Sequence, residues 1–100
     1  MSFRLRILAA AAKDIEAARD WYEGQQDGLG GVFLDAIDAA LARITAKPLT
    51  YRLVRRDARR ALVRRFPYVV IFRVKPDQIR ILAVLHQHRD PEVAKRRIER

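Results

Sequence analysis

The chain has 100 residues, enough for one domain spanning 1–100 and too few for a second compact core. Half the residues are apolar and a third are charged, which excludes a disordered chain. No apolar run approaches the ~18 residues of a membrane span, so no membrane association is expected. The apolar stretch at 7–12 is followed too soon by Lys13, Asp14 and Glu16 to read as a signal peptide, which points to a cytoplasmic protein. The absence of cysteine excludes disulfides, thiol nucleophiles and thiolate zinc sites. With only two histidines, both late in the chain, neither a metal site nor a cofactor is expected.

Charge is unevenly placed. Residues 1–50 hold six basic and seven acidic side chains, whereas residues 51–100 hold fifteen basic and five acidic, so the net charge of +9 lies entirely in the second half. Seventeen of the 21 basic residues are arginine, whose planar fork binds carboxylates and phosphates in a way that lysine does not. Segregation of this kind points to an acidic or polyanionic partner.

In chain order, Phe3 to Leu8 alternates and predicts a short strand. Ala11, Ile15, Ala18 and Tyr22 then recur at helical spacing, predicting a helix that stops near Gln26. Asp14 and Glu16 are placed in its first turns, and Trp21 lies off the apolar stripe. Gly28-Leu29-Gly30-Gly31 reads as the connector of a helical hairpin; it lacks the Gly-Lys-Ser/Thr ending of a phosphate loop and follows a helix, not a strand. Phe33, Leu34, Ile37, Ala40, Leu41 and Ile44 form one broad stripe of a second helix, ended by Lys47-Pro48. From Leu49 the pattern weakens into a loop that leads to a strand over about 59–65. Tyr68–Val74 and Ile79–His86 are near-continuous apolar runs, predicting strands buried on both faces and joined by a turn at Lys75-Pro76-Asp77-Gln78. Asp90-Pro91-Glu92 predicts the cap of a last basic helix that runs to about Ile98. The expected fold is α+β in two layers: β-α-α-β-β-β, with an antiparallel meander under the helical hairpin and a short C-terminal helix.

The chemistry-bearing candidates are strand arginines and the segment His86-Gln87-His88-Arg89-Asp90. Arg73 and Arg80 interrupt apolar strands, where an unpaired charge is costly, so each must reach solvent, an acid or a ligand. Arg64, Arg73, His86 and Arg89 are expected to converge on the sheet face left open by the helices. His86 and His88 alternate on a strand, so they do not read as an acid–base pair, and no carboxylate pair or Ser-His-Asp set is present.

Several strings, taken in order, resemble the RelE/ParE superfamily of bacterial toxins. They are Asp20-Trp21-Tyr22, Gly28-Leu29-Gly30 with Phe33-Leu34, Ala40-Leu41-Ala42-Arg43-Ile44, Arg59-Arg60-Ala61-Leu62, Arg65-Phe66-Pro67-Tyr68 through Val74, and Leu85-His86 with Arg89-Asp90-Pro91. The resemblance implies the toxin of a type II toxin–antitoxin (plasmid-stabilisation-type) module, neutralised by a cognate acidic antitoxin and meeting operator DNA only through it. RelE-like members are mRNA endoribonucleases acting on or off the ribosome; ParE-like members inhibit DNA gyrase. Val69 stands where the ribonucleases often carry arginine, and no tyrosine follows residue 68, so the sequence is more similar to the ParE-like branch. The alternatives are a ribonuclease using Arg64, Arg73, His86 and His88, and a degraded toxin that keeps only antitoxin binding. Target contacts are expected at Arg64, Arg65, Arg73, Arg80, His86 and Arg89. Antitoxin contacts are expected at Trp21, Arg52, Arg55, Arg56, Arg59 and Arg60, with the antitoxin in a groove of the helical hairpin and against a sheet edge.

Overall fold

The computed structural model describes residues 3–100. Its elements run β1 (Arg4–Ile7), α1 (Ala9–Gln25), α2 (Leu29–Ala46), a 3-10 turn at Pro48–Thr50, β2 (Arg52–Arg55), β3 (Ala58–Leu62), β4 (Tyr68–Val74), β5 (Gln78–His86) and α3 (Pro91–Glu99). The five strands form one sheet in the order β1-β5-β4-β3-β2. The last four are an antiparallel meander, and β1 lies parallel to β5, with Arg4 opposite Gln78 and Ile7 opposite Ile81.

The two long helices reverse within a connector shorter than the four residues expected. Gly28 takes φ 88°, a left-handed conformation that suits glycine, and α2 begins at the next residue. Gly30 lies inside the helix. A Cβ there would sit 2.9 Å from both the Arg19 carbonyl oxygen and Glu23 Oε1, so the missing side chain is what lets the helices approach. Glu23 caps the second helix from the first, accepting the backbone N–H groups of Gly28 and Gly30 at 2.9 Å each.

The α2 stripe is buried as its spacing requires. Phe33, Ile37, Ala40, Leu41 and Ile44 pack with Ala11 and Ala18 of α1 onto Tyr68, Val70, Phe72, Ile79, Ile81 and Val84. Removing each large side chain from water contributes roughly 1.5–3 kcal/mol. Tyr22, Phe33, Phe66 and Tyr68 form an aromatic cluster at one end of this layer, with ring centroids 4.9–6.1 Å apart.

Several expectations need correction. The stretch expected as a loop before residue 59 contains β2, joined to β3 by the two residues Arg56-Asp57, with Arg56 at φ 53°. The following strand ends at Leu62, not residue 65, because Arg64-Arg65 turn the chain and Arg65 takes φ 75°. A further correction concerns the face expected to be open. α3 lies on it, and Ile98, Val93 and Ala94 pack on Ala58, Val69, Ile71, Leu82, Ala83 and Leu85. Strands with apolar residues on both faces need cover on both faces, and α3 supplies the second cover. Asp90 does not cap α3 through its side chain; it accepts the His86 backbone N–H at 3.2 Å and so ties the segment after β5.

Candidate functional site

The expected convergence of Arg64, Arg73, His86 and Arg89 does not occur. Arg73 and Arg80 are register partners beside the β4–β5 turn, while His86 pairs with Tyr68 at the far end of the same strands. Six residues of strand separate Arg80 from His86, about 20 Å at ~3.3 Å per residue. Arg64 and Arg65 sit exposed at the His86 end. Arg89 is exposed there too, on the side of α1, where it lines a groove with Trp21 and Tyr68.

Many of the arginines have structural jobs. Arg73 donates to Asp57 Oδ1 at 2.6 Å and to the Ile98 carbonyl at 2.8 Å, tying the β2–β3 turn and the end of α3 to β4. That guanidinium holds the Asp57 carboxyl below its ordinary range, chiefly through the hydrogen bond. Arg55 pairs with Glu99 at 3.1 Å. Arg59 donates to the Tyr51 and Leu49 carbonyls at 2.7 and 3.3 Å, holding the chain that leads into β2. Arg52 and Arg56 are exposed, and Arg52 stands in register with Arg60.

At the His86 end, a cavity of ≈ 330 Å³ opens between the sheet and α3. Its floor is apolar, formed by Val69, Ile71, Leu85, Ala94 and Ile98, and Arg55, Arg60 and Lys95 stand around it. His86 also lines it, with its ring 5.6 Å from that of Tyr68. His86 Nδ1 accepts the His88 backbone N–H at 3.2 Å, which leaves Nε2 as the free ring nitrogen. The His88 ring lies 6.3 Å from the His86 ring, and the residue is exposed. An apolar floor with cationic surroundings suits a binding surface for a protein with apolar and acidic groups.

The second surface is a groove between α1 and α3, lined by Asp14, Ala17, Trp21, Tyr68, Arg89 and Val93. Trp21 is 56% exposed and meets Tyr22 edge-on at 5.1 Å. In the groove, Asp14 binds Arg97 through two hydrogen bonds of 2.8 and 2.9 Å. Sequence reasoning placed Asp14 at a helix start and gave Arg97 no role. The two stand 83 residues apart, and no local pattern joins them. Among the described residues, no group of three His, Cys, Asp or Glu side chains is arranged to hold a metal ion. Among the described residues, no helix is long and apolar enough to cross a membrane.

The family model of the ParE toxin of type II toxin–antitoxin systems, parDE, matches residues 5–91, and the chain belongs to that family. Among solved structures, a chain described as the chromosomal ParDE toxin–antitoxin system from P. aeruginosa superposes with a TM-score of 0.66 at 21% identity, covering 85% of this chain and 96% of that one. A chain of the toxin–antitoxin complex RelBE2 from Mycobacterium tuberculosis superposes with a TM-score of 0.61 at 18% identity, covering 86% and 99%. At these identities the two structures establish the shared fold. No curated protein sequence matches the chain significantly.

Proposed function

We propose that this ParE-family toxin acts by binding, inhibiting DNA gyrase without bond chemistry of its own, and that a cognate acidic antitoxin neutralises it. The observation that carries the reading is the floor of the His86 cavity. Val69 lies in it among apolar side chains, where the ribonuclease branch that the sequence resembles often carries an arginine. Without an arginine at position 69, a phosphorane formed in RNA cleavage loses one stabilising donor, a loss of about two to three decades in rate by analogy with deleting one oxyanion-hole donor. The His86 and His88 rings stand 6.3 Å apart with no hydrogen bond between them, so the two are not assigned as a coupled acid–base pair. Target contact is assigned to Arg64, Arg65, His86 and Arg89 at this end of the sheet. The antitoxin is assigned to the α1–α3 groove, with Trp21 as its anchor, and to the basic strands β2 and β3.

A gyrase supercoiling assay, run beside primer extension on an mRNA held in a ribosome complex with the same preparation, tests the reading. Inhibited supercoiling that survives His88→Ala, with the mRNA intact, supports it. Site-specific cuts that vanish in His86→Ala and His88→Ala, with gyrase unaffected, replace it with a ribonuclease. No effect in either assay, and no growth defect on expression without antitoxin, replaces it with a binding-only protein.

A further inference from the structure

The β4–β5 turn end of the sheet carries an arrangement that the proposed function does not use. Arg6 of β1, Arg80 of β5 and Arg73 of β4 are successive register partners across three adjacent strands. Partners in register share a face, so three guanidinium groups start from backbone positions only ~4.8 Å apart along the row. Like charges set opposite one another destabilise a sheet unless something neutralises them. Arg73 is neutralised by Asp57. Among the described residues, neither Arg6 nor Arg80 has an acidic partner. Arg80 Nε is moreover buried without any hydrogen-bond partner. A buried charged donor left without a partner is unfavourable unless a ligand completes it.

Arg80 and Arg73 line a cavity of ≈ 320 Å³ together with Arg97 and Arg100 from α3. Asp14 neutralises Arg97, and Arg100 has no acidic partner among the described residues. The remaining wall is Leu82 and the start of α1, at Leu8, Ala9 and Ala10. That helix begins with Leu8 at the N-cap, no side-chain cap and no acid in its first turn. The positive end of its dipole and the first free N–H groups are therefore unanswered by the chain. The unpartnered Nε of Arg80, the start of α1 and Arg100 line one space, and among the described residues none of the three has an acidic partner.

We infer that this cavity is a binding site for a phosphate-type oxyanion, taken as free phosphate or the terminal phosphate of a small phosphomonoester. Arg80 Nε–H and the α1 amides donate to its oxygens, and Arg100 closes over it. The volume, about ten water volumes of ~30 Å³ each, suits a compact dianion with part of its hydration rather than a duplex backbone. The inference is independent of the gyrase reading, since the site stands about 20 Å along β5 from His86.

The test is titration of the full-length protein with inorganic phosphate at constant ionic strength, read by two-dimensional ¹H–¹⁵N NMR. Expected are saturable shifts confined to the amides of Ala9, Ala10 and Ala11 and the Arg80 Nε–H signal. Arg80→Gln should weaken the affinity at least tenfold, and Arg100→Gln should weaken it by a smaller factor. Shifts that do not saturate, that chloride reproduces, or that survive Arg80→Gln unchanged overturn the site; if Arg80→Gln fails to fold, the wild-type shift map and Arg100→Gln decide. Adenosine monophosphate and an eight-nucleotide single strand are then compared at the same salt. Equal or tighter binding of the monophosphate at the same amides supports the assignment, and tighter binding of the oligonucleotide there overturns it in favour of a phosphodiester backbone.

Discussion

Asp14 and Arg97 form a two-pronged ion pair that stands where a neighbouring strand would lie. β1 ends at Ile7, opposite Ile81, so the second half of β5 has no strand on that side. Asp14 Oδ2 accepts the Val84 N–H at 3.0 Å, and Arg97 Nη1 donates to the Leu82 carbonyl at 3.1 Å. The pair therefore satisfies the backbone of an otherwise open edge, and it fastens α1 and α3 to that edge. Open edges invite pairing with other chains, so the contact protects as well as stabilises.

Asp14→Ala should destabilise the protein by about 2 kcal/mol, less than the 3–5 of a fully buried pair, because both side chains keep some exposure to water. Urea unfolding measures the loss. The double variant Asp14→Ala, Arg97→Met should recover part of it, since no charge is then stranded. Sedimentation of Asp14→Ala should show concentration-dependent association through the bared edge; a strictly monomeric variant would refute the protective role.

Two glycines of the helical hairpin should respond in opposite directions. Gly30→Ala forces a Cβ to within 2.9 Å of the Arg19 carbonyl oxygen and should cost about 1–3 kcal/mol. Gly31→Ala meets nothing within 4 Å and should stabilise by about 0.5–1 kcal/mol, as an unobstructed helical position does. Thermal melting of the two variants side by side checks the contrast.

The Asp57–Arg73 contact should leave an acid signature. The folded carboxyl titrates below its ordinary 3.8, so its stabilisation is complete above that value and is lost as the pH falls through the lowered folded value. Asp57→Asn should lower stability at pH 7 by about 0.5 kcal/mol, the scale of a pair whose acid is 58% exposed. The gap between variant and wild type should close below about pH 4. A gap that persists at pH 2 would assign the contact's worth to the turn and not to charge. Glu23, held down by the Gly28 and Gly30 amides, should add to the acid sensitivity in the same direction.

Trp21→Ala should speed antitoxin dissociation at least tenfold, as loss of an aromatic anchor does, while changing the melting temperature little. Association should slow markedly from low to high salt, because charges opposite Arg52, Arg56 and Arg60 are screened over ~8 Å at physiological strength. A flat salt profile would place the energy in apolar contacts alone.

The elements that the sequence reveals most clearly are those with an unbroken pattern. The α2 stripe from Phe33 to Ile44 and the runs Tyr68–Val74 and Gln78–His86 are buried as their periods require. The β2–β3 hairpin was hidden because its turn carries Arg56 at φ 53°, where glycine or asparagine would have announced it. Gly30 and Gly31 imitated a loop because close helix contact and tight turns call for the same residue. Of the site, the residue types were legible but not their meeting points. Arg73 and His86 belong to opposite ends of adjacent strands, and only the register shows it. The role of α3 as a second cover was implicit in strands apolar on both faces, but Val93, Ala94 and Ile98 are too few in a basic segment to reveal where they dock.

The parallel pairing of β1 with β5 sets an order of events during synthesis. The strand made first finds its partner only after the meander has been made, because β1 has no other neighbour in the sheet. Closing so long a loop is entropically slow and depends on the meander already standing to receive it. The Arg6–Arg80–Arg73 row and the start of α1 beside Arg80 come into being at that step, and the Asp14–Arg97 clasp follows once α3 is made. A chain broken off before residue 78 therefore has its helical hairpin and strands β2 to β4 but no partner for β1, and the toxin is assembled only when nearly all of it has been made.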